Sequence, residues 1–352
     1  MIGKDRPMNE LKMLLASCAL LVTWLPSAHS QPLPGVKVPV TVDNFARAET
    51  DRYFAMTIKR AGVGRFFHWR ELVPAGAQTV VRPNRDTLYS TAVFDLDAGP
   101  VSVTLPDAGE RYISLAVINE DHHVVDVQYR AGQYSVSRDQ AGTRYVMLGV
   151  RILFDPTKPS DPGQVHALQD AISVSQANGP GRFDVPQWDE ASQARIRGAL
   201  TVLGQSLADS RDMFGKPGEV DPMRHLIGSA IAWGGNPQQD AFYQTVTPDR
   251  NDGQTPYRLV VGQVPVSAFW SISVYDAEGR FRPNAREAYT LNSLTARKGE
   301  GGRVSVQFGG CTDSSDNCLP IMDGWNYMVR YYLPEPSILE GRWQLPKAEP
   351  IL

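Results

Sequence analysis

Val101-Ser-Val-Thr-Leu105 decides the fold, because its apolar and polar residues alternate with the period of a half-buried β-strand. Similar alternation recurs between residues 78 and 147 and returns after Tyr257. Short turn sequences, such as Pro106-Asp-Ala-Gly109, separate the runs. A parallel sheet would need strands that alternate with helices, and the chain does not show this pattern. The sequence therefore predicts a mainly β chain with a helical segment and two antiparallel, jelly-roll or sandwich-like β domains.

The helical segment lies between the two β regions. Its helices are expected to follow Ser160, Asp189 and Asp221, because these side chains can cap a helix and Pro stands in the first turn of two of the helices. The helix after Ser160 is expected to reach Gln176. A leading helix is predicted over residues 43–61, where Gly residues follow the last turn.

On this basis the chain divides into four parts. They are a signal peptide (residues 1–30), an N-terminal β domain with a leading helix (31–157), a helical connecting segment (158–248) and a C-terminal β domain (249–352). About 320 mature residues are more than one core usually organises, which favours two domains. No repeat of fixed period is visible, and the sequence alone does not align the two β regions.

Residues 1–30 have the features of a cleavable export signal. Basic residues precede an apolar run over residues 13–25, and the small residues Ala28 and Ser30 precede a cleavage point at Gln31. The run is shorter than the roughly 20 residues that cross a bilayer. Lipidation at Cys18 is an alternative, but most of the apolar run follows that cysteine instead of preceding it. We expect a periplasmic or secreted protein without a membrane span.

Charge and motifs exclude several classes of partner. The net charge of −3 at pH 7 gives no electrostatic reason for binding nucleic acid. Phosphate-binding loops, dinucleotide fingerprints and nucleophile elbows are missing from the sequence, so we predict no cofactor. Cys311 and Cys318 enclose a short polar loop, which predicts a disulfide in an oxidising compartment. A metal or redox dithiol is the rival interpretation, but no histidine lies nearby.

Val81-Arg-Pro-Asn-Arg-Asp-Thr-Leu-Tyr-Ser90 concentrates polar groups at the start of a strand. In one interpretation, Asn84 and Asp86 only fix a tight turn through hydrogen bonds to the backbone. In the other, Arg85, Asp86 and Tyr89 project into a pocket as a cation, an acid or base and a phenolic donor. Strand alternation places Arg85 and Tyr89 on one face and Asp86 on the other, so a flat strand cannot present Asp86 and Tyr89 together.

Glu120-Asp-His-His-Val-Val-Asp126 is the densest run of titratable side chains. His122 and Asp126 share one strand face, but a metal site would need a third ligand from elsewhere. Solvated loop charges with one hydrogen-bonded histidine are the simpler alternative. We predict no metal site, and we retain His122 as a candidate acid or base and Asp121 as a candidate ligand contact.

Aromatic residues are concentrated on two strands of the second β region, at residues 269–275 and 325–332. Aromatic side chains at strand spacing are more often core than ligand platform. In the alternative interpretation, Trp270 and Tyr275 stack on a sugar or another planar ligand. Arg330 alternates with Asn326 and Met328, and it points either to solvent or into a ligand cleft.

These segments resemble two bacterial families, DUF1254 in the N-terminal half and DUF1214 in the C-terminal half. The first is echoed by Asp43-Asn-Phe-Ala-Arg-Ala-Glu-Thr-Asp51 and Asn84-Arg-Asp-Thr-Leu-Tyr-Ser90, and the second by Phe269-Trp-Ser-Ile-Ser-Val-Tyr-Asp276 and Arg330-Tyr-Tyr-Leu-Pro334. One departure is Asn317-Cys-Leu-Pro320, where the second family often has Asn-Trp-Leu-Pro. The resemblance implies two jelly-roll-type β domains with a helical part and a location in the cell envelope. It implies no reaction.

We therefore expect an exported two-domain β protein that binds a small polar or carbohydrate-like ligand. The candidate ligand contacts are Asn84, Arg85, Asp121, Trp270, Tyr275 and Arg330. A hydrolase or lyase without a cofactor, with Asp86, Tyr89 and His122 as acid–base groups, is the first alternative. A structural protein of the cell envelope is the second. A homo-oligomer is compatible with each of these functions.

Overall fold

The structure is a computed structural model that describes residues 36–78 and 80–351. The predicted signal peptide, residues 1–30, lies outside the described residues. From Lys37 onward the described chain forms one compact unit. Within it, none of the helices has the length and apolar character that crossing a bilayer requires.

Sixteen strands form four sheets in the described residues. The strands are β1 (Phe67–His68), β2 (Thr87–Asp95), β3 (Val101–Leu105), β4 (Ile113–Asn119), β5 (Val124–Gln128), β6 (Gly132–Val136), β7 (Tyr145–Leu153), β8 (Ser173–Gln176), β9 (Ala241–Val246), β10 (Tyr257–Val261), β11 (Val266–Tyr275), β12 (Thr290–Asn292), β13 (Val304–Phe308), β14 (Cys318–Leu319), β15 (Asn326–Pro334) and β16 (Glu349–Pro350). The α-helices are α1 (Phe45–Ala61), α2 (Arg138–Ala141), α3 (Asp161–Asp170), α4 (Glu190–Gly204), α5 (Pro222–Ile231) and α6 (Pro336–Leu339).

The N-terminal sandwich packs a five-stranded sheet, β1-β2-β7-β4-β5, against a three-stranded sheet, β6-β3-β8. Val101 and Val103 are fully buried and Leu105 is 2% exposed, whereas Ser102 and Thr104 are half-buried. The alternation that predicted a strand therefore reflects one face in the core and one face outside it. The predicted fold class is confirmed.

The C-terminal sandwich packs β12-β11-β15-β9 against β14-β13-β10-β16. Leu259, Val306 and Trp325 lie in its core with no exposed surface. The predicted disulfide between Cys311 and Cys318 is confirmed, with 5.7 Å between the Cα atoms, and it joins the loop after β13 to β14.

The two sandwiches share one strand order. In the first, β2-β7-β4 lies over β6-β3-β8, and in the second, β9-β15-β11 lies over β13-β10-β16. Each strand occupies the same place in the chain order of its own domain, and the shared pairs run antiparallel in both. The matched strands align Pro83-Asn-Arg-Asp-Thr-Leu-Tyr89 with Pro237-Gln-Gln-Asp-Ala-Phe-Tyr243 and Tyr112-Ile-Ser-Leu-Ala-Val117 with Phe269-Trp-Ser-Ile-Ser-Val274. The structure thus reveals two copies of one topology.

The helices pack mainly on the N-terminal half. Apolar residues of α1, α4 and α5 form one cluster, and Phe54 of α1 also contacts the outer face of the five-stranded sheet. Asp189 and Asp221 cap α4 and α5 through their side chains, as predicted. The helix that was expected to reach Gln176 ends at Asp170, because residues 173–176 pair with β3 as an edge strand.

Candidate functional site

Each sandwich places a buried arginine on an inner strand of one of its sheets, Arg151 on β7 and Arg330 on β15. Arg151 is 9% exposed and Arg330 is 3% exposed. Side chains directly opposite each other on neighbouring strands lie on the same face, so each arginine is flanked by a tyrosine and a serine. The two rows are Tyr89–Arg151–Ser114 and Tyr243–Arg330–Ser271. We call the surroundings of the two guanidinium groups the Arg151 site and the Arg330 site.

The Arg330 site is closed by hydrogen bonds between the two domains. Arg330 Nη1 donates to Ser273 Oγ at 2.9 Å, and Nη2 donates to Tyr275 OH at 2.6 Å and to the Arg82 carbonyl at 3.0 Å. Tyr275 OH in turn donates to the Pro83 carbonyl at 2.8 Å. Arg330 thus fixes the C-terminal sheet to the turn that precedes β2.

Asp86 supplies the negative charge of the Arg330 site. Its carboxylate is fully buried and accepts from Ser271 Oγ at 2.6 Å and from Asn292 Nδ2 at 3.4 Å. Burial raises the pKa of Asp86, against the opposing effects of Arg330, Ser271 and Asn292. Burial by itself would lower the pKa of Arg330, but the neighbouring tyrosines and Asp86 raise it above its usual value, so the guanidinium stays charged.

The turn at Asn84 serves both sites. Asn84 Oδ1 accepts from the Asp86 backbone N–H at 2.9 Å, while Nδ2 donates to Tyr89 OH at 3.0 Å. Because Asp86 precedes the first residue of β2, strand alternation does not fix the direction of its side chain. The structure therefore directs Asp86 to the Arg330 site and sets Tyr89 beside Arg151.

In the described residues, no carboxylate accepts a hydrogen bond from Arg151. Arg151 Nη1 donates to Asn236 Oδ1 at 2.6 Å, and Nη2 donates to the Gly234 carbonyl at 2.5 Å, so both acceptors are neutral. Asp240 stands at the position that Asp86 has in the other copy, but it accepts from Tyr129 OH at 2.7 Å. In the described part of the chain Arg151 forms no ion pair. Burial would lower the pKa of Arg151, but Tyr89 and other tyrosines raise it, so this guanidinium is also charged.

Polar groups without hydrogen-bond partners surround Arg151. Within the described residues, Ser114 Oγ, Tyr112 OH and Asn236 Nδ2 are buried and unpartnered. Ser114 lies directly opposite Arg151, and Asn236 binds Arg151 through its other amide atom. The neighbouring Ser114 hydroxyl lowers the pKa of Tyr112, although the two groups do not meet hydrogen-bond geometry. Each unsatisfied buried polar group costs about 1–3 kcal/mol, so such a group usually has a partner.

His122 is held by two hydrogen bonds outside both sites. Its Nε2 accepts from the Gly234 N–H at 2.8 Å, and its Nδ1 lies 2.8 Å from Ser229 Oγ. Ser229 donates its own hydrogen to the His225 carbonyl, so this network assigns the ring hydrogen of His122 to Nδ1. Burial and the nearby His225 and His123 hold the pKa of His122 well below its usual value. His122 is neutral and reaches Arg151 only through Gly234.

The backbone of His122 repeats a turn of the other domain. Its φ of 64° lies in the left-handed region, and the matching residue of the second copy is Gly279, with a φ of 75°. Asn119 and Asp276 each accept backbone N–H groups two and four residues further on. A glycine would adopt this backbone conformation more easily. The contacts of the His122 ring therefore explain why a histidine stands here.

The remaining predicted residues are dispersed. Arg85 donates to the Val73 carbonyl and lies over the Tyr289 ring at 5.0 Å. Asp121 pairs with Arg47 at 2.7 Å, and Trp270 packs in the core of the C-terminal sandwich. The structure brings together Asn84, Asp86, Tyr275 and Arg330, with Tyr89 close by in the Arg151 site.

Sequence reasoning missed Arg151 and its partners. One available signal was the arginine inside Tyr145-Val-Met-Leu-Gly-Val-Arg-Ile-Leu-Phe154, a run that is otherwise apolar. The other was the repeated spacing of Pro, Asp and Tyr at residues 83–89 and 237–243. The second signal becomes convincing only when the strand order is known.

Comparison with known proteins agrees with this division of the chain. A family model described as a protein of unknown function (DUF1254) matches residues 63–176, and a second one (DUF1214) matches residues 240–336. No curated protein matches.

Two solved structures are similar to this chain. The VPA0106 protein from Vibrio parahaemolyticus is 16% identical with a TM-score of 0.68, and the alignment covers 88% of this chain and 98% of that one. A putative uncharacterized protein from Burkholderia cenocepacia is 12% identical with a TM-score of 0.48, over 88% of this chain and 86% of that one. The first similarity supports the fold and carries no function. The two family matches, in the order that the sequence predicts, identify the chain as one that joins a DUF1254 domain to a DUF1214 domain.

Proposed function

We propose that the protein binds a small anionic molecule at the Arg151 site, between its two β domains, and that a carboxylate is the anion of best fit. The observation that carries this proposal is a buried guanidinium with only neutral acceptors, surrounded by the unpartnered polar atoms of Tyr112, Ser114 and Asn236. A planar guanidinium matches a carboxylate in charge and in shape. Sugar acids, which are carbohydrate-like, fall in this class.

The Arg330 site supports this choice of ligand. There, the serine beside the arginine donates to a carboxylate, since Ser271 Oγ lies 2.6 Å from Asp86 Oδ2. Ser114 holds the equivalent place beside Arg151, and among the described residues its hydroxyl has no partner. A ligand carboxylate at the Arg151 site would therefore take the part that Asp86 takes at the Arg330 site. It would also neutralise a buried charge, which is costly when unpaired.

The disulfide supports a proposal for the location in the cell. The Cys311–Cys318 disulfide favours an oxidising compartment, because such bonds are rare in the cytosol. The export signal predicted at residues 1–30 agrees. We propose a periplasmic or secreted protein that meets its ligand there.

A hydrolase or lyase is the second candidate, and Tyr89 is the observation that favours it. Its ring lies 5.6 Å from the Arg151 guanidinium carbon, and Asn84 donates to its hydroxyl at 3.0 Å. A ligand on Arg151 would thus lie beside an oriented phenol, a group that can exchange protons. If the bound anion is converted, Tyr89→Phe should abolish the conversion and retain binding. Retention of full turnover in that variant would exclude Tyr89 as the acid or base.

Thermal unfolding with sodium formate, acetate and chloride at constant ionic strength tests the proposed binding. A ligand that binds only the folded state stabilises it by about 2.7 kcal/mol at 100 times its Kd, so formate or acetate should raise the Tm. Arg151→Met should lose this response, whereas Arg258→Met, which removes an exposed arginine of β10, should retain it. An equal rise in the Arg151 variant, or no rise in the wild type, would contradict the proposal.

A further inference from the structure

A second, open site lies on the N-terminal half, away from the domain interface. A cleft of about 460 Å³ is bordered by Arg47, Asp51, Glu120, Arg144, Asp184 and Trp188. Asp51 and Arg47 belong to α1, whereas Glu120 follows β4 and Trp188 precedes α4. With Arg144, which precedes β7, four separate segments build its walls.

Asp51 is the central group of the cleft. It is only 2% exposed, and its Oδ2 accepts from Trp188 Nε1 at 2.8 Å. Its Oδ1 is buried without a hydrogen-bond partner in the described part of the chain. A carboxylate oxygen in this position is an unsatisfied hydrogen-bond acceptor.

Glu120 supplies a second acceptor. One carboxylate oxygen accepts from the Tyr145 N–H at 3.0 Å, and the other lies 3.7 Å from Arg47 Nη1. Arg47 is shared, because its other terminal nitrogen pairs with Asp121 at 2.7 Å. One guanidinium therefore faces three carboxylates, those of Asp51, Glu120 and Asp121.

The other arginines at the cleft do not neutralise these three carboxylates, because each pairs with a different one. Arg144 pairs with Asp95 at 2.8 Å, and Arg138 pairs with Asp97. Asp184 adds a further carboxylate to the wall. Within the described residues no group of three or more His, Cys, Asp or Glu side chains is arranged to hold a metal ion. The excess negative charge therefore fits an organic cation with N–H donors better than a metal ion.

We propose that this cleft binds a small organic ammonium ion, with Asp51 Oδ1 and Glu120 Oε1 as its acceptors. The ammonium group would satisfy the unpartnered oxygen of Asp51 and offset the charge that Arg47 leaves uncompensated. This site is independent of the anion proposed for Arg151, and either proposal can fail alone.

Proton linkage gives the proposal a distinctive signature. Burial, followed by the charges of Glu120 and Asp121 and against the opposing effects of Trp188 and Arg47, raises the pKa of Asp51 to about 7. A bound cation favours the ionised carboxylate, so ammonium binding should release a proton below neutral pH. Affinity should be about tenfold higher at pH 8 than at pH 6, since the ionised fraction of Asp51 rises by that factor.

Isothermal titration calorimetry with ethanolammonium as the probe and ethylene glycol as the neutral comparison tests this site. We expect ethanolammonium to bind, with proton release seen as a dependence of the heat on the buffer, and ethylene glycol not to bind. Asp51→Asn should abolish both binding and proton release. Asp249→Asn, which removes an exposed carboxylate paired with Lys347, should change neither.

Three results would overturn the proposal. Equal binding of ethylene glycol would show that the cleft recognises hydroxyl groups. Unchanged ethanolammonium binding in the Asp51 variant would place the probe elsewhere. Glu120→Gln is a second variant for the same check, because its amide oxygen can still accept from the Tyr145 N–H. Absence of binding at pH 8, where Asp51 is ionised, would exclude an ammonium site.

Discussion

Arg330 and Arg151 occupy matching positions in two copies of one topology, yet their surroundings differ. Arg330 donates to a serine, a tyrosine and a backbone carbonyl, and the buried Asp86 balances its charge. Arg151 has two neutral acceptors and unpartnered polar neighbours. The comparison shows how one arrangement can serve two purposes. A satisfied network joins domains, whereas an unsatisfied one has capacity left for a ligand.

The largest expected effect is at the satisfied site. Arg330→Met leaves Asp86 buried without a compensating charge and removes the hydrogen bonds to Ser273 and Tyr275. We expect the free energy of unfolding to fall by about 3–5 kcal/mol, the usual result of leaving a buried charge uncompensated. Urea denaturation measures this loss, with Arg258→Met as the exposed control. A loss below about 1 kcal/mol would mean that Arg330 does not hold the domains together.

Two buried serines, one near each arginine, test the comparison at the next level. Ser273→Ala removes a hydrogen bond to the Arg330 guanidinium and should cost about 1.5–3 kcal/mol. Ser114→Ala removes a buried hydroxyl that has no partner, so it should cost less than about 0.5 kcal/mol without a ligand. Both serines are fully buried, so the two variants do not differ in the burial of the replaced side chain. Similar losses in the two variants would remove the distinction between the sites.

The pH dependence of stability in Asp86→Asn tests the buried carboxylate of the Arg330 site. Because burial raises the folded-state pKa of Asp86 above its unfolded value, this group favours the folded state most below the unfolded pKa. That contribution is lost as the pH rises through the folded pKa. The advantage of the wild type over the variant should therefore shrink between acidic and alkaline pH. Denaturation curves at several pH values measure it, and an advantage that grows with pH would contradict the raised pKa.

Only a small change in stability is expected at Arg151. Arg151→Met removes the cost of burying an unpaired charge, and this gain offsets the loss of the hydrogen bonds to Asn236 and Gly234. We expect a change within about 1 kcal/mol in buffers free of small carboxylates. The same chemical denaturation assay as for Arg330→Met gives a direct comparison. A loss as large as that of Arg330→Met would show that Arg151 is already satisfied.

Much of the fold could be predicted from local patterns. The alternation at Val101–Leu105, the helix caps at Asp189 and Asp221 and the short loop between Cys311 and Cys318 each depend on nearby residues. The helix after Ser160 was the exception, since pairing with β3 converts residues 173–176 into a strand. Asp86 and Arg330 could be singled out individually, but their meeting depends on contacts between residues more than 180 positions apart, as for Ser271 and Asp86.

By itself, the sequence determined the fold class, the disulfide and the pair of families, because period, capping and short loops act over a few residues. Only the tertiary structure decided that Tyr89, Arg151 and Ser114 form a row matched by Tyr243, Arg330 and Ser271. Register between strands fixes such a row, and register depends on the whole sandwich core. Burial of Asp51 likewise depends on Trp188, which lies 137 residues away along the chain. Charge and burial at both proposed sites are therefore properties of the assembled chain.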